Sequence, residues 1–445
     1  MHIKRTSLFA LALLLTAAVA ARADKVDDYL KAEMQRNHIP GISVAVIKDG
    51  KIIKVEGYGL ANVELNVPAR PDTVYKIGSV SKQFIASGIM LLIEEGRVSL
   101  DDKISKFLDG TPDTWKEITV RHLLTHTSGI VREAPGFDPL KIQNDADVIK
   151  TAYPLPLRFQ PGEKWEYCNV GYFTLAEIIR KVSGKPWGEY LKERLFSPLE
   201  MNATRTTTMT ELVENRANGY RWRNGKLENS DIYFALRPSG AFLSTVLDLA
   251  KWDAALYTDR ILKQSAREQM WTPVKLNNGT AYQYGFGWEL ESVGGHKLIN
   301  HGGSLPGFRA MIARFVDDKL TVVVFTNSDN ANPSDLAVGV AALHIPGLIP
   351  ERTAKKVDPK ILDTYVGQYQ PNPNAVLTVT REGDRLMVQQ GSGEKRELVP
   401  ESESNFFMPE NRQLTYSFVK DEKGQVTHLV VQREGREMGR AKRIK

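Results

Sequence analysis

At 445 residues and 42% hydrophobic content, the chain is long enough for one large core and a second, smaller one. Its formal net charge of +6 is a modest surface excess with no dense Lys/Arg block interleaved with aromatics, which excludes nucleic acid as an expected partner. Cys168 is the only cysteine, so no intramolecular disulfide can form and stability must come from packing.

The chain starts with a basic cluster, His2, Lys4 and Arg5, followed by an apolar stretch from Leu8 to Val19 that is shorter than the roughly 20 residues needed to span a bilayer. Ala21-Arg22-Ala23 is a small-residue cleavage site. Residues 1–23 are therefore expected to be a cleavable signal peptide, giving a periplasmic or secreted mature chain from Asp24 with no membrane span. Its removal takes away three cations, Lys4, Arg5 and Arg22, and lowers the net charge from +6 to +3.

Val26 to Met34 has the periodicity of an amphipathic helix. Gly41 to Ile47 and Lys51 to Val55 are apolar runs joined at Asp49-Gly50, which predicts a β-hairpin. From Ser79 to about Ile178 helix and loop signals dominate, including a helix from Val120 with Thr119 as N-cap and Gly129 as its stop. A second hairpin is expected where Phe308 to Phe315 and Leu320 to Phe325 flank Asp317-Asp318. Hairpins from both ends of the domain around a helical middle make an α+β arrangement, an antiparallel sheet with a largely helical part.

Pro346, Pro350 and Pro359 then interrupt regular structure, so the hydrolase-sized domain is set at 24–345, a linker at 346–358 and a further domain at 359–445. In that last part Val376 to Thr380, Arg385 to Val388, Leu414 to Val419 and His428 to Val431 are short strand-like runs between turns. They predict a compact antiparallel barrel or sandwich, expected to act as an accessory.

The chemistry concentrates in three places. Ser79-Val80-Ser81-Lys82 puts an amine one helical turn from a hydroxyl, so Lys82 can take the Ser79 proton if burial or nearby cations lower its pKa. Ser392-Gly393-Glu394-Lys395 and Ser417-Phe418-Val419-Lys420 fit the same spacing, but in strand-like sequence, where serine and lysine point to opposite faces. Tyr167-Cys168-Asn169 supplies a phenol that can shuttle a proton, acting as a base only if cations such as Lys82 pull its pKa well below about 10. His301-Gly302-Gly303-Ser304 places glycines where a substrate backbone can approach, and the amides of Ser79 and Ser304 could pair as an oxyanion hole.

With these three motifs in this order, the chain resembles the serine β-lactamase and penicillin-binding-protein-like hydrolases, in the class C β-lactamase-like branch. Leu123-Leu124-Thr125-His126-Thr127-Ser128-Gly129, Pro40-Gly41-Ile42-Ser43-Val44-Ala45 and Pro198-Leu199-Glu200-Met201 support the resemblance, which covers about Val26 to Asn327. It implies Ser79 as the acylated nucleophile, Lys82 and Tyr167 as the proton-transfer pair, and Asn169, His301 and Gly303 as substrate-binding positions. It also implies the Ser79 and Ser304 amides as oxyanion donors, and neither metal nor organic cofactor. Members that hydrolyse antibiotics usually carry lysine where His301 stands, so the resemblance favours an esterase or D-amino-acid peptidase acting on an ester, amide or D-amino-acid peptide. A penicillin-binding DD-carboxypeptidase or a β-lactamase is the alternative. An inactive peptide-binding homologue is a third reading, opposed by the presence of serine, lysine and tyrosine together.

Overall fold

Alternate side chains of the Gly41–Lys48 run enter two different cores, which is why that run is apolar throughout rather than every second residue. The computed structural model describes residues 24–445 apart from 207–210, 232–236, 241, 374, 410 and 434–435. The expected signal peptide, 1–23, lies outside the described residues.

Strands Gly41–Lys48 (β1), Lys51–Asn62 (β2), Val67–Pro68 (β3), Glu289–Val293 (β4), His296–Leu305 (β5), Phe308–Phe315 (β6) and Leu320–Thr326 (β7) form one sheet in the order β4-β5-β6-β7-β1-β2-β3. Every neighbouring pair is antiparallel. The helices that position the site or cover the sheet are Lys25–Arg36 (α1), Lys82–Glu94 (α2), Asn169–Ser183 (α3), Val246–Ala255 (α4) and Pro333–Ala342 (α5). Ile42, Val44 and Val46 share a core with Val26 and Leu30 of α1 and Leu336 and Val340 of α5. Ala45 and Ile47, on the opposite face, join the larger core that holds Phe84 and Ile89 of α2 and Trp252 of α4. The domain is thus a mixed α/β unit built on an antiparallel sheet, as expected.

Both expected hairpins form. Asp49 and Gly50 take φ of 50° and 73°, the paired positive values that a two-residue turn between twisted strands requires. The β2 strand continues beyond Val55 to Asn62, carrying buried Tyr58 and Ala61. In the second hairpin Lys319 takes the left-handed position, φ 50°, and Phe315 pairs with Leu320. The expected helix from Val120 to Gly129 is cut short. Thr119 caps it by accepting from the His122 amide, but it ends at Leu124, because His126 turns left-handed at φ 59° and takes its buried imidazole out of the helical path.

A fully buried ion pair joins the sheet to α4: Arg314 Nε donates to Asp253 Oδ1 at 2.6 Å, and Thr321 Oγ1 donates to the same oxygen at 2.9 Å. The guanidinium lies against the Tyr257 and Trp271 rings, 4.8 and 4.9 Å from their centroids. Removing the anion would leave a buried charge without its counterion. Asp253→Ala is therefore expected to lower folding stability by about 3–5 kcal/mol, read as a drop in the urea midpoint. An unchanged midpoint would contradict that.

Residues 343–358 form no helix or strand, although Ile345 and Leu348 still pack on the α1/α5 side of the sheet. Beyond them eight antiparallel strands, Gly367–Asn372 to Arg436–Arg443, close into a barrel through the pairing of Tyr369 with Arg443. The barrel has its own core around Tyr365, Phe406, Phe418 and Leu429. Ser417 and Lys420 lie in the Asn411–Lys420 strand as expected, whereas Ser392 to Lys395 occupies the turn between Arg385–Gln390 and Arg396–Pro400. Among the described residues no helix is long and apolar enough to cross a membrane.

Candidate active site

Ser79 is placed by a glycine. Gly78 adopts φ 53°, and a Cβ there would come within 2.6 Å of the Ser304 amide nitrogen, so only glycine lets this turn lie directly on β5. The 3₁₀ turn Gly78–Ser81 then runs into α2, whose residues Lys82 to Leu92 are all buried. Ser79 thereby sits part-exposed at the start of a helix gripped from every side.

Lys82 is fully buried, and its Nζ lies 3.1 Å from Ser79 Oγ, 2.9 Å from Asn169 Oδ1 and 2.8 Å from the Ser239 carbonyl oxygen. Burial, with further contributions from Arg237 and Arg132, holds its pKa well below the usual lysine range. Asn169 Nδ2 donates to the Glu133 carboxylate, so its Oδ1 is the end that faces Lys82. Two of the three neighbours of Nζ are therefore carbonyl oxygens that can only accept. Among the described residues, a neutral Lys82 spends both N–H groups on them and turns its lone pair to Ser79, the partner with a proton to give.

Tyr167 packs its ring beside Lys82, with Nζ 4.6 Å from the centroid, and beside Arg132, whose Cζ is 5.2 Å away. The condition for Tyr167 to act as a standing base, a pKa pulled well below about 10 by cations, is not met. Desolvation of the hydroxyl outweighs the lowering effects of a Ser79 hydrogen bond, Arg132 and Arg237, and the phenol is raised above its ordinary value. Tyr167 is therefore a neutral phenol rather than a standing phenolate.

Across the cleft, β5 outruns its neighbour. The last residue paired with β4 is Asn300, so His301 to Leu305 pair with β6 on one side and present an open edge on the other among the described residues. A Cβ on Gly303 would fall 1.9 Å from the Ile77 carbonyl oxygen and 3.2 Å from the Ser79 amide nitrogen, which brings the Ser79 and Ser304 amides to one place. His301 is 2% exposed, and both ring nitrogens are engaged: Nδ1 with the Gly302 carbonyl oxygen at 2.7 Å, Nε2 with the Tyr284 hydroxyl at 3.0 Å. Burial and the Lys82 charge lower its pKa to about 3, so it is a neutral brace for this strand and has no free nitrogen to offer a ligand.

The structure thus brings Ser79, Lys82, Tyr167, Asn169, His301, Gly303 and Ser304 together. Several neighbours carry no sequence signal of their own. Arg132 and Glu133 come from one loop, and Arg237, which pairs with Glu133 at 2.9 Å and with Ser239 Oγ at 3.0 Å, comes from another. The Ser239 carbonyl is backbone and has no sequence signature. Cys168 is buried with its thiol pushed up to about 12, which makes it inert, and it caps α3 by accepting from the Gly171 amide. Among the described residues no group of three or more His, Cys, Asp or Glu side chains is placed to hold a metal ion.

The beta-lactamase family model matches residues 26–345, and a domain of unknown function, DUF3471, matches residues 351–442. Penicillin-binding protein 4* of Bacillus subtilis is 32% identical over 395 residues, covering 82% of this chain and 87% of that one. The structure of an octameric penicillin-binding protein homologue from Pyrococcus abyssi superposes with a TM-score of 0.68 at 28% identity, over 94% of this chain and 99% of that chain. A D-amino acid amidase from Ochrobactrum anthropi gives a TM-score of 0.61 at 26% identity, over 68% of this chain and 91% of the other.

Proposed function

This chain belongs to the beta-lactamase family and is a serine hydrolase, and from that premise we propose that Ser79 is acylated by an amide or ester substrate and then released by water. The observation that carries this reading is the orientation forced on Lys82, whose lone pair has, among the described residues, only the Ser79 hydroxyl to meet.

Lys82 removes the Ser79 proton as Oγ attacks the carbonyl carbon, and the oxygen that gains the negative charge is held by the Ser79 and Ser304 amides. The Tyr167 hydroxyl hands a proton to the departing nitrogen or oxygen and recovers one from the Lys82 ammonium, which holds the former Ser79 proton. Water then attacks the acyl-enzyme by the same groups run in reverse, which returns the proton to Ser79. The open β5 edge suits an extended acyl group, and the substrate class proposed is an ester, an amide or a peptide containing D-amino acids. The D-amino acid amidase likeness supports that class. A DD-carboxypeptidase or β-lactamase is the second reading, favoured by the penicillin-binding protein likeness and weakened because His301 supplies no cation on the strand. Export to the periplasm or medium is proposed from the leader-like residues 1–23.

Intact-protein mass spectrometry after a fluorophosphonate and, in parallel, a penicillin tests the reading, with the adduct mapped by digestion. A fluorophosphonate adduct on the Ser79 peptide without a penicilloyl adduct is the expected result. A stable penicilloyl group on Ser79 would move the assignment to a cell-wall peptidase. Labelling elsewhere, or none in folded protein, would overturn Ser79 as nucleophile.

A further inference from the structure

Four hydrogen bonds run in a line through the buried wall behind the cleft, and their directions are fixed from both ends. The Cys168 amide N–H lies 3.1 Å from His126 Nδ1, and an amide nitrogen can only donate, so Nδ1 accepts and the His126 proton sits on Nε2. From there it points to the Tyr284 hydroxyl at 3.2 Å. At the far end His301 Nδ1 lies 2.7 Å from the Gly302 carbonyl oxygen, which can only accept, so the His301 proton sits on Nδ1 and Nε2 is bare. The hydroxyl hydrogen of Tyr284, 3.0 Å away, closes the line by donating to that Nε2. The neighbouring Tyr172 hydroxyl gives its own hydrogen to the Leu124 carbonyl oxygen at 3.0 Å, and its oxygen is a second acceptor beside the Tyr284 hydroxyl, so His301 Nε2 shares the Tyr284 hydrogen with it.

The ends of this line matter for the site. Cys168 lies between Tyr167 and Asn169, and Gly302 lies between His301 and Gly303. The line therefore ties the wall that carries the phenol to the strand that carries the Ser304 amide. All three side chains are buried: His126 is 0% exposed, Tyr284 1% and His301 2%.

We propose that Tyr284 is a positioning residue, the central link of a proton-ordered chain from Cys168 through His126, Tyr284 and His301 to Gly302 that fixes the separation between the proton-transfer wall and the oxyanion strand. The inference rests on the functional reading above, because only a site that works at Ser79 needs that separation held. Tyr284 touches no substrate. It acts by giving His301 Nε2 its only donor and His126 Nε2–H its only acceptor among the described residues.

The test joins histidine nitrogen NMR to kinetics. In the wild-type protein His126 is expected as the Nε2–H tautomer and His301 as the Nδ1–H tautomer, assigned with the His301→Gln variant. Tyr284→Phe keeps the ring volume and removes the hydroxyl. It is expected to mix the His301 tautomers and to lower kcat by about 10–100-fold, with KM within about 3-fold of wild type. Fluorophosphonate should still label Ser79 in this variant, more slowly. Identical tautomers at the two histidines in the wild type would overturn the proposal without any variant, and so would wild-type kcat in folded Tyr284→Phe. If the wild type is not labelled at Ser79, the functional reading fails instead, which the tautomer measurement would not reveal.

Discussion

Ser79→Ala is expected to lower kcat by roughly 10,000-fold or more, Lys82→Met nearly as much, and the double variant no further than the worse single one. The non-additivity follows from geometry. Among the described residues the lysine lone pair has a single proton-bearing partner, Ser79, so removing either half of the pair is expected to remove the same step. Three rate measurements on one ester decide it: separate, additive losses would mean that Lys82 acts on something other than Ser79. Lys82→Met should also change stability in a definite direction with pH. The folded-state pKa of Lys82 lies below its unfolded value, so between the two the unfolded chain binds more protons. The wild type therefore gains stability as pH rises through that window and loses it as pH falls towards the folded pKa. The methionine variant, with no amine to protonate, should show a urea midpoint that depends less on pH over the same range.

Gly303→Ala is the second large effect expected. A methyl group there would meet the Ile77 carbonyl oxygen at 1.9 Å, a backbone atom that cannot swing away, so β5 must retreat from the Gly78–Ser81 turn. That movement carries the Ser304 amide away from Ser79. If that amide holds the oxyanion as proposed, its loss is expected to lower kcat by about 100–1000-fold, with little change in the affinity for a ground-state ester. Gly302→Ala is the control. Its added carbon would have no atom nearer than 3.8 Å, so it should retain most activity. Equal losses in the two variants would show that the strand is merely intolerant of bulk.

Local chemistry made much of this legible in the sequence. Asp49-Gly50 declared its turn because two consecutive positive φ values need such residues, and the three motifs met in space because each has its chemistry in side chains a few positions apart. The misses have physical reasons as well. Half of the barrel strands carried no apolar alternation; Arg436–Arg443 is mostly charged, since it buries little besides Ala441. The direction of the Tyr167 pKa stayed open in the sequence because desolvation depends on the surrounding packing, which no spacing encodes. The resemblance implied His301 as a substrate-binding position, while its hydrogen-bond partner Tyr284 sits on a connection whose route the sequence does not reveal.

The barrel's closure makes its final stave the one holding the hoop. Arg436–Arg443 pairs with Val426–Arg433 on one side and Gly367–Asn372 on the other, while Ile444 and Lys445 exchange backbone hydrogen bonds with Gln368. Deleting residues 436–445 would remove about a tenth of that domain yet expose two unpaired strand edges together, each a template for a second molecule. A frameshift or protease nick there would do its damage through insolubility rather than lost catalysis, and an affinity tag is safer on a surface loop than after Lys445.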